Sequence, residues 1–184
     1  MIRYELLKLL KPHLKNQAII CNIGAPSQEL FDLMDQPSNF YMLGTMGLCS
    51  SIGLGLALVQ SKKVIAIDGD GSVLTNLATL STIAHHPADN FILLVVDNGS
   101  YGSTGDQPTY AGMKTSLAQV ARACGCENVQ ECDAEDTPAV LAKSLKENKL
   151  TIIISKCQPG NVNVPVIDLD PVVIAHRFSQ SLLN

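Results

Sequence analysis

The fold of this chain is decided by residues 64–72, which read VIAIDGDGS. The first four of them are apolar and mostly β-branched, which predicts a buried strand that ends at Asp68. The glycines on either side of Asp70 allow a sharp turn and a close approach of the backbone to a ligand. Residues 74–85 then have the apolar spacing of a helix. Strand, turn and helix in this order form the repeating unit of a parallel α/β sheet.

The same alternation extends over the rest of the chain. Continuous apolar runs predict further strands at residues 18–23, at 91–97, around Val129 and at 150–155. Further helices are predicted at residues 2–14, 26–33, 47–60, 116–124, 137–148 and 172–183, and Pro12 interrupts the first of them. Residues 98–113 are predicted to form a polar, glycine-rich loop. Strands that are apolar on both faces are typical of parallel sheets that helices cover on both sides. We therefore predict a single α/β domain over residues 1–184, with three layers (α/β/α) and a mainly parallel sheet.

The composition narrows the classes of partner. Charged residues make up 16% of the 184 residues, below the usual quarter, which indicates that another chain covers part of the surface. The net charge is −4 and no basic run occurs, so nucleic acid is not an expected partner. Residues 36–61 carry no charge, but Pro37 and several glycines interrupt them, so we expect a buried segment and no membrane span. The six cysteines form no zinc-binding pattern and residues 1–5 no secretory signal, which favours free thiols in the cytoplasm.

A turn with Asp70 at its centre follows the first of these strands. Residues 69–72 read GDGS, and the helix after them offers free N–H groups that suit a phosphate. The carboxylate of Asp70 is a hard oxygen ligand of the kind that Mg²⁺ prefers. An Asp-Gly turn after a strand is also common without any ligand, so this motif alone leaves both interpretations open.

A second polar strand end follows one helix and one strand later. Asn98 comes directly after an apolar strand, and 25 residues separate Gly71 from Asp97. Because ligands of parallel α/β sheets bind where the carboxyl ends of the strands meet, we expect Asp70 and Asn98 to lie close together. With a backbone carbonyl near Ser100, they form a predicted Mg²⁺ site that also binds a diphosphate.

These motifs resemble the fingerprint of thiamin diphosphate-dependent enzymes, in which GDG is followed one helix and one strand later by NN. Asp97 stands in place of the first Asn, a position that supplies no side-chain ligand in the family. Residues 43–47, LGTMG, are similar to the family's G-S-x-G segment, with Thr45 in place of Ser. The resemblance implies that the carbonyl of Gly44 and the backbone of Met46 meet the pyrimidine ring, and that the Met46 side chain keeps the cofactor bent. On the residues alone, Met46 equally suits a core position in a glycine-rich turn.

The resemblance implies three groups of site residues. Thiamin diphosphate is expected to contact Gly44, Thr45, Met46, Gly69, Gly71, Ser72, Tyr101 and Gly102. Mg²⁺ is expected at Asp70, Asn98 and Ser100. The residues expected to face the substrate, as hydrogen-bond donors to a carboxylate or sulfonate, are Ser103, Thr104 and Gln107. A polar lid without direct substrate contact is the alternative for this last group.

Two segments narrow the resemblance within the thiamin diphosphate-dependent decarboxylases. Residues 39–47, NFYMLGTMG, and 100–109, SYGSTGDQPT, are similar to sulfopyruvate and phosphonopyruvate decarboxylases. The second segment and the short chain favour the beta subunits of sulfopyruvate decarboxylases, which implies a carboxy-lyase that converts 3-sulfopyruvate to sulfoacetaldehyde and CO₂ in coenzyme M biosynthesis. Phosphonopyruvate is the alternative substrate, and a non-catalytic, cofactor-binding regulatory subunit is the alternative function. A nucleotide-binding domain is disfavoured, because the sequence lacks G-x-G-x-x-G and a P-loop lysine.

The family's activating glutamate has no counterpart in this sequence. In the family it contacts the pyrimidine ring from a separate pyrimidine-binding (PYR) domain, and we expect no second domain in residues 1–184. Glu29 is the only glutamate between Lys8 and Gly44, and its place in the first turn of a helix predicts a surface residue that stabilises the helix dipole. The resemblance therefore implies a PYR-domain alpha subunit as partner in a hetero-oligomer, with a homo-oligomer as the alternative for the isolated chain. Lys114 is the only base near the substrate loop, so the cation for a dianionic substrate is also expected from the partner.

Overall fold

A computed structural model describes residues 1–183, and a parallel sheet forms its centre. The strands are β1 (Ala18–Cys21), β2 (Asn39–Tyr41), β3 (Val64–Gly69), β4 (Phe91–Asp97), β5 (Ser100–Tyr101), β6 (Gln107–Pro108), β7 (Val129–Asp133) and β8 (Thr151–Lys156). Across the described residues, six of them form one sheet in the order β2-β1-β3-β4-β8-β7, and each neighbouring pair is parallel. The predicted parallel sheet is confirmed.

Helices cover both faces of this sheet. They are α1 (Arg3–Leu10), which continues into a 3₁₀ turn at Lys11–His13, α2 (Ala25–Met34), α3 (Cys49–Ala57), α4 (Asp70–Thr75), α5 (Ala78–His85), α6 (Leu117–Ala123), α7 (Thr137–Lys146) and α8 (Pro171–Ser181). Leucines of α1, α2 and α7 form one core with Ile65 and Ile67 of β3, whereas α3, α5 and α6 form the other with Val64 and Ala66. Successive residues of β3 thus enter opposite cores, and the predicted three layers are confirmed.

Some predicted boundaries differ from the structure. The helix predicted at residues 74–85 is two helices, because Asn76 leaves the helical conformation between α4 and α5 and donates its side-chain amide to the carbonyl of Gly47 at 3.0 Å. The helix predicted from Gly47 begins at Cys49, because Gly47 lies in a turn with φ +93°. The polar loop predicted at 98–113 contains an antiparallel hairpin of β5 and β6. Along residues 1–183, no helix has the combined length and apolar character needed to cross a membrane.

The register of β3 and β4 places the two conspicuous strand ends side by side. Gly69, the last residue of β3, lies opposite Val96 of β4, and Asp97 ends β4 one residue later. The chain therefore leaves the sheet at Asp70 and at Asn98 from adjacent strands. This geometry is the one that the spacing of the two motifs predicts.

Candidate active site

A cavity of about 230 Å³ opens where β1, β3 and β4 end. The predicted site residues that line it are Met46, Gly69, Asp70, Gly71, Ser72, Asn98, Ser100, Tyr101, Gly102, Ser103 and Thr104. The structure thus brings all three predicted metal ligands together with most of the residues predicted to meet the cofactor and the substrate.

Three predicted residues lie outside this cavity. Gly44 and Thr45 line a neighbouring groove of about 220 Å³ together with apolar residues of α3 and α8. Gln107 is exposed on β6, where its side-chain amide donates to the carbonyl of Thr104 at 2.8 Å and accepts from the Thr104 hydroxyl at 2.9 Å. The polar atoms of Gln107 are therefore used within the hairpin, and the geometry does not bring this residue to the cavity.

Asp70 begins α4 at the floor of the cavity and is 1% exposed. Its carboxylate accepts a hydrogen bond from the hydroxyl of Thr109 and another from the backbone N–H of Asn98. Burial raises the pKa of Asp70, the bond from Thr109 lowers it, and the nearby charge of Asp97 raises it. No ion pair to Asp70 occurs within the described chain. A buried carboxylate without a cationic side chain suits a divalent cation, which would favour its ionised form.

Asn98 forms the second half of the predicted metal site. Its side-chain oxygen accepts from the backbone N–H of Ser100 at 3.1 Å, which closes a tight turn around Gly99. Gly99 has φ +65°, and a Cβ there would lie 3.1 Å from the Cα of Gly112. Because an amide oxygen has two lone pairs, Asn98 can still bind a cation. Within residues 1–183 no cluster of three or more His, Cys, Asp and Glu side chains could hold a metal. The predicted oxygen set of Asp70, Asn98 and Ser100 differs from such a cluster, because it contains one carboxylate, one amide and one backbone carbonyl.

Asp97, which replaces the first Asn of the fingerprint, faces away from this site. Its carboxylate accepts from the ammonium group of Lys156 at 2.5 Å, and Asp97 is not among the residues that line the cavity. Lys156 also lies 3.4 Å from Glu131. The substitution therefore places its charge in an ion pair beside the site and leaves the cavity lining unchanged.

The turn that ends at Gly47 is held against α4. The N–H of Gly47 donates to the hydroxyl of Ser72 at 3.0 Å, and a Cβ at Gly47 would lie 2.9 Å from the hydroxyl of Thr75. Thr45 has φ +66°, a left-handed conformation that is unfavourable for a β-branched residue and that the surrounding bonds maintain. As a result, Met46 is 40% exposed and lines the cavity. The alternative that Met46 is a core residue is wrong.

Tyr101 explains why glycine follows Asp70. A Cβ at Gly71 would lie 2.3 Å from Cε1 of the Tyr101 ring, so the ring lies directly on the backbone of the turn. Gly102 is restricted in the same way, because a Cβ there would lie 2.7 Å from the side-chain nitrogen of Asn161. The β5 strand is thereby packed against the GDGS turn.

Sequence reasoning missed Arg3 and was wrong about Glu29. Glu29 is fully buried, and its carboxylate accepts from Nε of Arg3 at 2.8 Å and from Nη2 at 3.0 Å. The prediction of a surface residue failed because the countercharge comes from α1, far away in the sequence. Arg3 lines the cavity, whereas Lys114 does not.

Further lining residues come from the ends of β1 and β3. Ala25 and Pro26 begin α2, whose first turn carries free N–H groups that attract anions. The apolar run of β1 followed by a proline was a signal for this helix start. Asp68 also lines the cavity, but its carboxylate accepts from the Ser50 hydroxyl at 2.7 Å and from the N–H of Gly69 at 2.9 Å.

Comparisons with known proteins show the family of this chain. Residues 23–155 match the family described as thiamine pyrophosphate enzyme, C-terminal TPP binding domain. The chain is 47% identical to the sulfopyruvate decarboxylase subunit beta of Methanococcus maripaludis over 98% of its own length and 97% of that protein. It is 39% identical to the sulfopyruvate decarboxylase of Methanosarcina acetivorans, over 99% of this chain and 47% of that protein. It is 36% identical to the phosphonopyruvate decarboxylase of Streptomyces viridochromogenes, over 89% of this chain and 42% of that protein.

A solved structure shows the same fold. The chain superposes on the thiamine diphosphate-dependent 4-hydroxybenzoylformate decarboxylase of Rhodococcus jostii with a TM-score of 0.71 and 21% identity. The superposition covers 88% of this chain and 33% of that one, so the described fold corresponds to about a third of that enzyme.

Proposed function

Because this chain belongs to the thiamine pyrophosphate enzyme family, we propose that it is the cofactor-binding subunit of a decarboxylase that converts 3-sulfopyruvate to sulfoacetaldehyde and CO₂. The reaction breaks the bond between the carboxylate and the 2-oxo carbon, and a proton takes the place of the carboxylate. The observation that carries this proposal is the cavity in which Asp70 and Asn98 meet, on a chain that matches a beta subunit over nearly its full length.

The residues present suit thiamin diphosphate and Mg²⁺. Asp70, Asn98 and the carbonyl of Ser100 would hold the cation, because they offer hard oxygen ligands around a buried, unneutralised carboxylate. The residues that would hold the cofactor are Gly69, Gly71, Ser72, Tyr101 and Gly102 in the cavity, and Gly44, Thr45 and Met46 in the adjoining turn. When bound, thiamin diphosphate supplies a nucleophilic ring carbon for the 2-oxo group and accepts the electron pair that CO₂ leaves behind. We propose that residues 1–184 form one domain of this kind.

The proposal requires a partner chain. Among the described residues, no glutamate lines the cavity, since Glu29 lies behind Arg3. The relatives named subunit beta indicate an alpha subunit, and the Methanosarcina acetivorans protein, of which this chain covers 47%, has room for both parts in one chain. We propose that the alpha subunit carries a PYR domain, which supplies the activating glutamate and completes a hetero-oligomer.

The loop after Asn98 is the proposed substrate side. Ser103 and Thr104 line the cavity, and the Ser103 hydroxyl can donate to the carboxylate or sulfonate of the substrate. The Thr104 hydroxyl donates to the side chain of Gln107, so it would have to exchange that bond for one to the substrate. The identity of 47% to a sulfopyruvate enzyme, against 36% to a phosphonopyruvate enzyme, supports 3-sulfopyruvate as the substrate and coenzyme M biosynthesis as the setting.

We propose that the protein is located in the cytoplasm, where buried thiols stay reduced. Cys21 is such a thiol, and burial raises its pKa to about 12.

Co-expression with a candidate alpha subunit tests the function. The purified complex is assayed for CO₂ release from 3-sulfopyruvate and from phosphonopyruvate, with thiamin diphosphate and Mg²⁺ present. We expect turnover of 3-sulfopyruvate by the complex and none by either chain alone. Full turnover by this chain alone would refute the proposal that two chains share the site. Preferential turnover of phosphonopyruvate would replace 3-sulfopyruvate as the proposed substrate. Activity of the alpha subunit without this chain would favour a regulatory role for this chain.

A further inference from the structure

Arg3 carries the positive charge of the cavity. Within residues 1–183 it is the only Arg or Lys that lines the cavity, and it is 6% exposed. A guanidinium at this depth requires both a countercharge and hydrogen-bond acceptors. Its countercharge, Glu29, does not line the cavity, so the positive side of the pair is the one that faces a ligand.

The bonds of Arg3 leave one nitrogen free. Nε donates to Glu29 at 2.8 Å, and Nη2 donates to Glu29 at 3.0 Å and to the side-chain oxygen of Asn161 at 2.7 Å. In the part of the chain that the structure describes, no hydrogen bond uses Nη1. A guanidinium has five N–H donors, and two of them belong to Nη1. Glu29 and Asn161 therefore fix the orientation of the group while two donors stay available.

The surroundings of Arg3 select an anion with several oxygens. The start of α2 at Ala25 lines the same cavity and adds the positive end of a helix dipole. The two free N–H donors of Nη1 suit the oxygens of a phosphate group. Arg3 is also linked to the loop that is proposed to meet the diphosphate, because Asn161 donates to the carbonyl of Gly102 at 3.0 Å. Gly102 directly follows Tyr101, whose ring lies on Gly71.

We propose that Arg3 is a cofactor-binding residue whose free Nη1 donates to the terminal phosphate of the diphosphate in this cavity, with Glu29 and Asn161 as positioning residues. This inference rests on the proposed function. The sulfonate of the substrate has the same tetrahedral oxyanion chemistry, so the test separates the two sources.

The test uses the complex of this chain with its alpha subunit and three variants of it. R3Q/E29Q removes the cation and its countercharge together, so that no unpaired charge stays buried. R3K keeps the charge and the ion pair but loses the two free N–H donors of Nη1. R177Q/D35N is the matched control, because Arg177 pairs with Asp35 outside the cavity. Calorimetry measures the binding of inorganic pyrophosphate and of thiamin diphosphate at fixed Mg²⁺, and the KM for 3-sulfopyruvate is measured at saturating cofactor.

We expect R3Q/E29Q and R3K to weaken pyrophosphate binding about ten-fold or more, since a hydrogen bond to a charged group is lost, and R177Q/D35N to bind as the unmodified complex does. Unchanged pyrophosphate affinity in R3K would overturn the proposal, and R3K decides alone if R3Q/E29Q does not assemble. A raised KM for 3-sulfopyruvate with unchanged pyrophosphate affinity would indicate that Arg3 binds the sulfonate of the substrate. This result would also overturn the proposal. If the unmodified complex binds no thiamin diphosphate, the proposed function itself is wrong; if it binds and R3K binds equally, only the role of Arg3 is wrong.

Discussion

Asp70 is costly to the fold, and we propose that the site needs it. Its carboxylate is buried without a cationic partner among the described residues, and this burial raises its pKa. The bonds from Thr109 and from the N–H of Asn98 offset part of the cost of burying the charge. The proposed cation would remove the remaining cost, so the proposal predicts that cation binding and stability are linked at this residue.

The substitution D70N separates these two quantities. Asn keeps the shape of the side chain and can still accept from Thr109, but it removes the charge that the cation needs. We expect thiamin diphosphate affinity at fixed Mg²⁺ to fall about ten-fold or more, while the thermal stability of the metal-free complex is equal or higher. Calorimetry measures the cofactor affinity, and thermal unfolding measures the stability. The control is D168N, because Asp168 is exposed and does not line the cavity. Equal cofactor affinity in D70N and D168N would contradict the metal assignment.

Met46 is exposed where a residue of its size is usually buried. Its side chain lines the cavity, and it follows Thr45, which is held in a left-handed conformation. We expect M46A to lower kcat of the complex at least about ten-fold while changing its free energy of unfolding by less than about 1 kcal/mol, because little packing is lost. Steady-state kinetics and chemical denaturation check this. A loss of stability with unchanged kcat would return Met46 to a structural role.

At the scale of elements, the site is a junction of α4, β5 and the turn at Gly47. The ring of Tyr101 on β5 contacts Gly71 so closely that a methyl group has no room. We expect G71A to lower the free energy of unfolding of the complex by about 1–3 kcal/mol through overpacking, and to weaken thiamin diphosphate binding because α4 or β5 must shift. G55A is the matched control, since a Cβ at Gly55 in α3 meets no atom within 4 Å and is expected to add up to about 1 kcal/mol of helix stability. Denaturation curves compare the two, and equal effects would mean that Tyr101 does not restrain the turn.

The elements also show where sequence reasoning succeeds and where it stops. The central strands and the meeting of Asp70 with Asn98 are predictable, because apolar runs and motif spacing are local signals that the topology of a parallel sheet converts into proximity. The break between α4 and α5 is not, because the side chain of Asn76 bonds a carbonyl of a distant turn. The burial of Glu29 is unpredictable for the same reason, since its partner Arg3 lies on another helix and no periodicity links the two. Long-range polar pairing decides these positions, and one sequence carries no signal of it.

At the scale of the whole molecule, exposed apolar side chains form a surface that runs from the cavity to the neighbouring groove, and we call this surface the rim. Leu43 is 54% exposed and Met46 40%, and Leu48 and Ile52 continue this surface onto the start of α3. Exposed apolar clusters beside a site are typical of surfaces that a partner covers. Among the described residues, no glutamate lines the cavity, and the apolar rim lies beside it. Both observations support the proposal that another chain completes the site.

A polar substitution on this rim tests where the partner binds. L43S removes apolar area that the alpha subunit is expected to cover, and burial of a leucine contributes about 1.5–3 kcal/mol, so we expect the dissociation constant of the complex to rise about ten-fold or more. V166S is the matched control, because Val166 is 73% exposed but lines neither the cavity nor the neighbouring groove. Sedimentation over a dilution series measures both constants.

Because Leu43 is exposed, its replacement is expected to leave the fold of the chain intact. Weaker association of L43S, but not of V166S, would therefore assign the rim to the interface. Equal association of L43S and V166S would place the partner on a different face and leave the cavity to be completed from elsewhere.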